Sequence, residues 1–156
     1  MSQLESSASV AEHITTRLAQ VLIANGAETD LGARVYRGRH NINDDVVPCV
    51  VVFEGPDSPV DQPGRTMTNV QVSPRYVLAA YVPCNPDSPN DAAHAAVRDM
   101  KRALFRENGQ PNANFGGRVR KVTYKGRDIG PRADGVPIVF VTVDIVVDFV
   151  EDLANP

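Results

Sequence analysis

A chain of 156 residues fits one ordinary domain, large enough to bury roughly 68–70% of the surface its unfolded form exposes, so it needs neither metal nor disulfide to fold. Its formal charge of −3, with 16 Lys and Arg against 19 Asp and Glu, excludes the strongly basic field by which proteins grip nucleic acid through the phosphates. No apolar run reaches the roughly 18 residues of a membrane-spanning helix, and the opening MSQLESSASVAEH lacks a basic segment followed by an apolar core, so residence in a cytoplasm is the expectation.

Taken in chain order, SVAE at Ser9 to Glu12 has the capping-box form, in which serine hydroxyl and glutamate carboxylate satisfy free backbone N–H groups at a helix start. Val10, Ile14, Leu18, Val21 and Leu22 then recur at helical spacing, and the helix is predicted to end near Asn25 and Gly26. Three strand-like segments follow. Residues 33–38 are short and charged, and 49–54, CVVVFE, are an apolar run suited to a strand covered on both faces. Residues 67–82 form a long candidate that Pro74 must bend or place at an edge, because proline has no N–H for the ladder.

SPND at Ser88 to Asp91 announces a second helix, with Ser88 as cap, Pro89 in the first turn and Asp91 near the positive end. Its apolar stripe is Ala93, Ala96, Val97, Met100 and Leu104, with Arg98, Asp99, Lys101 and Arg102 mostly outside it, and Asn108–Gly109 stops it. A strand around Val119 to Lys125 leads through a turn-rich segment into PIVFVTVDIVVDFV, a long hairpin whose second arm alternates strictly. Val139, Val141, Val143, Ile145, Val147 and Phe149 share one face, and the strand is predicted to be central. The order α-β-β-β-α-β-β gives an α+β fold: a two-layer sandwich with a mixed or antiparallel sheet of about five strands and two helices, in a single domain over 1–156. The first eight residues and the tail EDLANP are expected to fray. Segments 55–66, 106–117 and 126–136 are long, Gly- and Pro-rich connections of the kind that carry function.

Candidate sites divide into chemistry and contact. Asp44 and Asp45 are adjacent, so in a turn both are solvated and share no cleft for acid–base work. Asp144 and Asp148 share a strand face about 13 Å apart at ~3.3 Å per residue; a small metal-dependent nuclease would need further carboxylates around them. His13, His40 and His94 form no HExxH, no GxSxG elbow exists, and phosphate-cradling GxxxxGK[ST] or GxGxxG loops are absent. Cys49 and Cys84 sit in no CxxC and read as free, small buried residues; a metal site from them and His40 has no supporting spacing. No catalytic, cofactor or metal residue is therefore expected. Arg118, Arg120, Lys121, Lys125, Arg127 and Arg132 concentrate around the fourth strand and its hairpin, where a protein contact is favoured over nucleic acid because stacking aromatics are nearly absent.

In VYRGRHNINDDVVPCVVVFEGP, the Val35–Arg39 strand, the Asp44–Asp45 turn, Pro48 and the run from Val50 to the Phe-Glu-Gly-Pro end resemble the minor tail, or tail terminator, proteins of long-tailed bacteriophages and related prophages. The N-terminal helix, the long middle strand, the helix opening PNDAAHA and the valine-rich closing strand extend the resemblance over most of the chain. It implies a small α+β protein with no chemistry that assembles as a ring, typically hexameric, on the head-proximal end of a finished tail tube. It also implies the partners: further copies of itself, the tail tube protein and the head–tail connector protein, with DNA only as passing cargo and no membrane. Neck and other tail completion proteins share this size and composition. The implied location is the virion tail, after assembly in the host cytoplasm. A closed ring joins one patch to a different patch on the next copy. Arg37, Arg39, Arg118, Arg120, Lys121, Lys125, Arg127 and Arg132, with Asp44, Asp45 and Glu54, are the candidates for subunit or tail-tube contact, opposite charges setting the register.

Overall fold

The computed structural model describes residues 5–60 and 68–156. Helix α1 (Ser7–Ala19) begins a turn earlier than SVAE predicts. Ser6 is the N-cap: its Oγ accepts the Ser9 N–H at 3.1 Å, and Ser9 Oγ accepts the Ser6 N–H at 3.0 Å. Two serines thus close the reciprocal box, and Glu12 stays exposed outside it. The helix also ends earlier than expected, at Ala19, and residues 23–25 form a separate 3-10 turn closed by Gly26 at φ 91°. The chain has to leave the helix there because a second 3-10 turn at 31–33 packs across its end. A Cβ on Gly32 would lie 2.5 Å from the Ala19 carbonyl oxygen, while the Gly32 N–H donates to Val21 O at 2.8 Å.

Strand β1 (Val35–Arg37) runs parallel to β2 (Cys49–Glu54), and β2 pairs antiparallel with β4 (Arg75–Pro83). The predicted long strand exists as β3 (Asn69–Val72) and β4, bent at Ser73–Pro74; its expected start at residue 67 lies outside the described residues. Both halves pair with β8 (Ile138–Asp152) in one uninterrupted register: Val72 faces Phe149 before the bend and Arg75 faces Val146 after it. Pro74 fits because the bond at the break uses its carbonyl, which accepts the Val147 N–H at 3.1 Å. Strand β7 (Lys121–Ile129) pairs antiparallel with the other side of β8, with a bulge between Tyr124 and Gly126. The sheet is mixed, with β1 and β7 at its edges and β8 central as predicted.

Helix α2 (Pro89–Phe105) and α1 lie on one face of this sheet, giving the two-layer α+β arrangement. Val50 and Val52 of β2, Leu78, Ala80 and Val82 of β4, and the six predicted alternating residues of β8 meet Ile14, Leu18, Ala96, Met100 and Leu104 in one core. At about 25 cal/mol per Å² of apolar surface removed from water, burial of this set is the main stabilising contribution. Asn108 and Gly109 do more than stop α2. Their φ values of 50° and 77° make the two-residue turn of a tiny hairpin, β5 (Arg106–Glu107) with β6 (Gln110–Pro111). The ends fray less than expected: Ser7 and Ala8 belong to α1, and Glu151 and Asp152 pair with Val70 and Asn69.

Candidate functional site

Three regions gather polar side chains. The first is a groove of about 480 Å³ between α1 and the C-terminal half of α2. Arg17, a residue the sequence pattern does not single out, organises it. Its Nε–H donates to His13 Nε2 at 2.7 Å, its Nη1 donates to the carbonyls of Ala103 at 3.1 Å and Arg106 at 2.9 Å, and its Nη2 pairs with Glu107. The two carbonyls sit at the end of α2, where helical partners run out, so a guanidinium from α1 caps α2. The Phe115 ring lies under it, 4.8 Å from the guanidinium carbon and 5.1 Å from the His13 ring. Burial, then the charges of Arg17 and Arg118, hold the His13 pKa below its ordinary 6.5, which keeps Nε2 free to accept.

Asp99, in the same groove, is 2% exposed although the helical pattern places it among solvated charges. It accepts the N–H of Glu28 at 3.0 Å and both the N–H and hydroxyl of Thr29 at 2.8 and 2.6 Å. Beside it Glu28 chelates Arg98 at 2.8 and 2.9 Å, which lowers the carboxyl pKa chiefly through that hydrogen bond. Each of these groups is satisfied within the chain. The groove's polar residues tie the α1–β1 connection and the β5–β6 hairpin to the helices.

The second region is the sheet face turned away from the helices. Asp144 and Asp148 both lie on it, as predicted, but they do not converge. Asp144 is ion-paired with Arg75, its diagonal neighbour on β4, and Asp148 stands opposite Lys121 on β7. A carboxylate tied to a guanidinium is a poor metal ligand, and among the described residues no three His, Cys, Asp or Glu side chains gather. Cys49 points to this face, whereas Cys84 packs toward the helix-side core, so the sheet separates them despite their antiparallel strands. His40 rests its ring 5.2 Å from Phe53. Burial raises the Cys49 thiol pKa.

The third region comprises the predicted contact residues, which the structure sorts. Arg37 pairs with Glu54 at 3.1 Å, and Arg39 stacks 4.5 Å over Tyr36. Arg118 reaches Glu5 at 3.8 Å, and Arg120 donates to Gln71 at 2.6 Å. Arg132 donates to the carbonyls of Ala133 and Val136 at 3.0 and 2.7 Å and to Pro86 O at 3.4 Å, fastening the β7–β8 turn. Lys121, Lys125 and Arg127 remain exposed along β7, and Asp44 and Asp45 remain exposed at the start of a 3-10 turn over 44–46; among the described residues none of the five has an ion-pair partner. Asp44 also lines a groove of about 280 Å³ with Ile42, Val47, Tyr81, Val136 and Phe140.

No protein-family model matches the chain, and no curated protein matches it. Among solved structures, a chain of one described as "Virion of native gene transfer agent (GTA) particle" superposes with a TM-score of 0.54 at 16% identity, covering 93% of this chain and 100% of that one. The likeness is one of fold. It spans nearly the whole of both chains, so it concerns the whole two-layer arrangement, with four strands before α2 and four after it, rather than a shared substructure.

Proposed function

We propose that this protein is a structural component of a phage-like virion, a tail terminator that assembles as a ring, hexameric on the family pattern, on the head-proximal end of the tail tube. The ring ends tube polymerisation and offers the head connector its docking surface. One observation carries the reading: end-to-end likeness in fold to a chain of a gene transfer agent virion, in a sequence whose VYRGR…DD…VVVFEGP segment independently resembles tail terminators. The geometry is compatible with a non-enzymatic role. The titratable groups in the helix groove are engaged by the chain itself, and Asp144 is neutralised by Arg75. With a net charge of −3, such a ring would let DNA pass without gripping it.

Sedimentation velocity and negative-stain imaging of the purified chain, alone and mixed with tail tubes, test the reading. Rings seated on tube ends are the expected result. A strict monomer that never binds tubes would refute it, and binding to tail-less capsids but not to tubes would reassign the protein to the neck or connector.

A further inference from the structure

We propose that copies of this chain join head to tail through one charge-matched contact, in which the β7 edge of one copy, carrying Lys125 and Arg127, seats on the Asp44–Asp45 turn and its adjoining groove on the next. The proposal rests on the ring reading above and adds to it the surface through which copies meet.

Internal satisfaction decides which charges are left for a partner. Of the predicted contact residues, Arg37 and Glu54 neutralise one another, Arg118 and Arg120 hold their own chain's Glu5 and Gln71, and Arg132 is taken by three backbone carbonyls. Arg39 stacks on Tyr36 and donates to Asn41 O at 3.2 Å, and Lys121 stands opposite Asp148, which leaves Lys125, Arg127, Asp44 and Asp45. Lys125 and Arg127 lie on β7, one edge of the sheet, with the exposed Asp128 beside them; Asp44 and Asp45 lie in the connection between β1 and β2, the strands at the opposite edge.

The groove that Asp44 lines is also lined by Arg132 and Ala133 of the β7–β8 turn, and the Arg132 guanidinium is held there by carbonyls of its own chain. Among the described residues no ion pair joins Lys125 or Arg127 to Asp44 or Asp45 within one molecule. Between molecules they can touch. A positive patch on one edge meeting a negative patch at the other makes a heterologous contact, the kind that closes into rings. Apolar contact is available in the groove beside Asp44, which is floored by Tyr81 and Phe140, whereas Tyr124 of β7, 39% exposed, already carries the Lys101 ammonium over its ring at 4.6 Å. The charges would set register and speed of encounter, and the groove would supply the dry contact.

The experiment is sedimentation velocity on the full chain in three forms: wild type, Lys125→Glu/Arg127→Glu, and Asp44→Lys/Asp45→Lys. Unchanged circular dichroism and melting confirm that each reversed form is folded. The wild type is expected to assemble. Each reversal should raise the concentration at which the assembly dissociates by about tenfold or more, and an equimolar mixture of the two reversed chains should regain the wild-type value, because opposite patches then alternate around the ring. Reversed chains that assemble like the wild type would overturn this contact and leave the ring reading standing. Failure of the mixture to recover would do the same. A wild type that remains monomeric at every concentration and on tail tubes would remove both.

Discussion

Replacing Asp99 by alanine should cost about 2–4 kcal/mol of stability. The carboxylate is nearly fully buried and accepts three hydrogen bonds, from the Glu28 N–H, the Thr29 N–H and the Thr29 hydroxyl, at 3.0, 2.8 and 2.6 Å. Alanine leaves all three donors without an acceptor. A buried donor left unsatisfied costs about 1–3 kcal/mol, and because Glu28 is itself exposed and can recruit water, the lower end applies to it. Two backbone donors near 1 kcal/mol each, plus about 0.5–1 kcal/mol for the hydroxyl and the lost attachment of Arg102, come to about 2.5–3 kcal/mol, the middle of that range. Against a typical total of about 5–15 kcal/mol, that is a large fraction. Urea titration followed by circular dichroism reads it as a lower midpoint at constant slope. The companion Thr29→Val removes only the hydroxyl and should cost about 1 kcal/mol, and the double variant should cost less than the two singles together. A loss below about 0.5 kcal/mol for Asp99→Ala would refute the idea that this carboxylate fastens the α1–β1 connection, since that is the range of unremarkable surface substitutions.

His13 gives a pH dependence whose sign follows from its lowered folded-state pKa. Below the unfolded value of 6.5 the unfolded chain takes up a proton before the folded one does, so its stabilising contribution is complete above 6.5 and is lost as pH falls through the folded value. Urea midpoints measured from pH 7.5 to 5 should fall, and His13→Gln should flatten part of that fall; a parallel profile in the variant would count against the assignment. Gly32→Ala should destabilise by about 1–3 kcal/mol, because its Cβ meets the backbone oxygens of Ala19 and Leu18 at 2.5 and 2.6 Å and backbone cannot rotate aside. A melting temperature equal to wild type would show that the turn can shift. Titration with a thiol reagent should modify Cys84 in the native protein and Cys49 only after unfolding, since Cys49 is fully buried with a raised pKa. Equal rates for both would contradict the sheet's placement of Cys49.

The sheet was legible because alternation is a direct imprint of burial. In β8 every second residue from Val139 to Phe149 enters the core, and CVVVFE coincides with β2 from first residue to last. The interruption at Pro74 was also readable, since a missing N–H leaves few places for a proline in a ladder; that pairing resumes in the same register required the partner strand to be seen. Helix ends were less legible. ESSASVAE offers several serines at capping distance, and only the docking of Val10, Ala11 and Ile14 selects Ser6. Asn108–Gly109 carried a hairpin signal beside its helix-stopping one. The polar clusters were hidden because Arg17 and Asp99 read as solvated helix positions; they are covered by segments distant in sequence, Arg106–Glu107 and Phe115 over one, Glu28–Thr29 over the other. Residue type marked the charged contact candidates, but cis partners decide which are available, and those emerge only from register.

Cations on β7 admit a competing explanation that the sign of charge can separate. An edge strand exposes unpaired backbone groups and is commonly guarded by charged side chains that discourage pairing with other chains. Protection of that kind depends on desolvation cost and on repulsion between like edges, so glutamates serve it nearly as well as lysines. Docking on Asp44 and Asp45 depends on positive sign. Lys125→Glu/Arg127→Glu therefore keeps the edge guarded while inverting its fit to the acidic turn. If guarding is the whole role, that variant stays soluble and assembles as the wild type does; if the edge is an attachment surface, it stays soluble and does not assemble until offered a chain whose turn has been made basic.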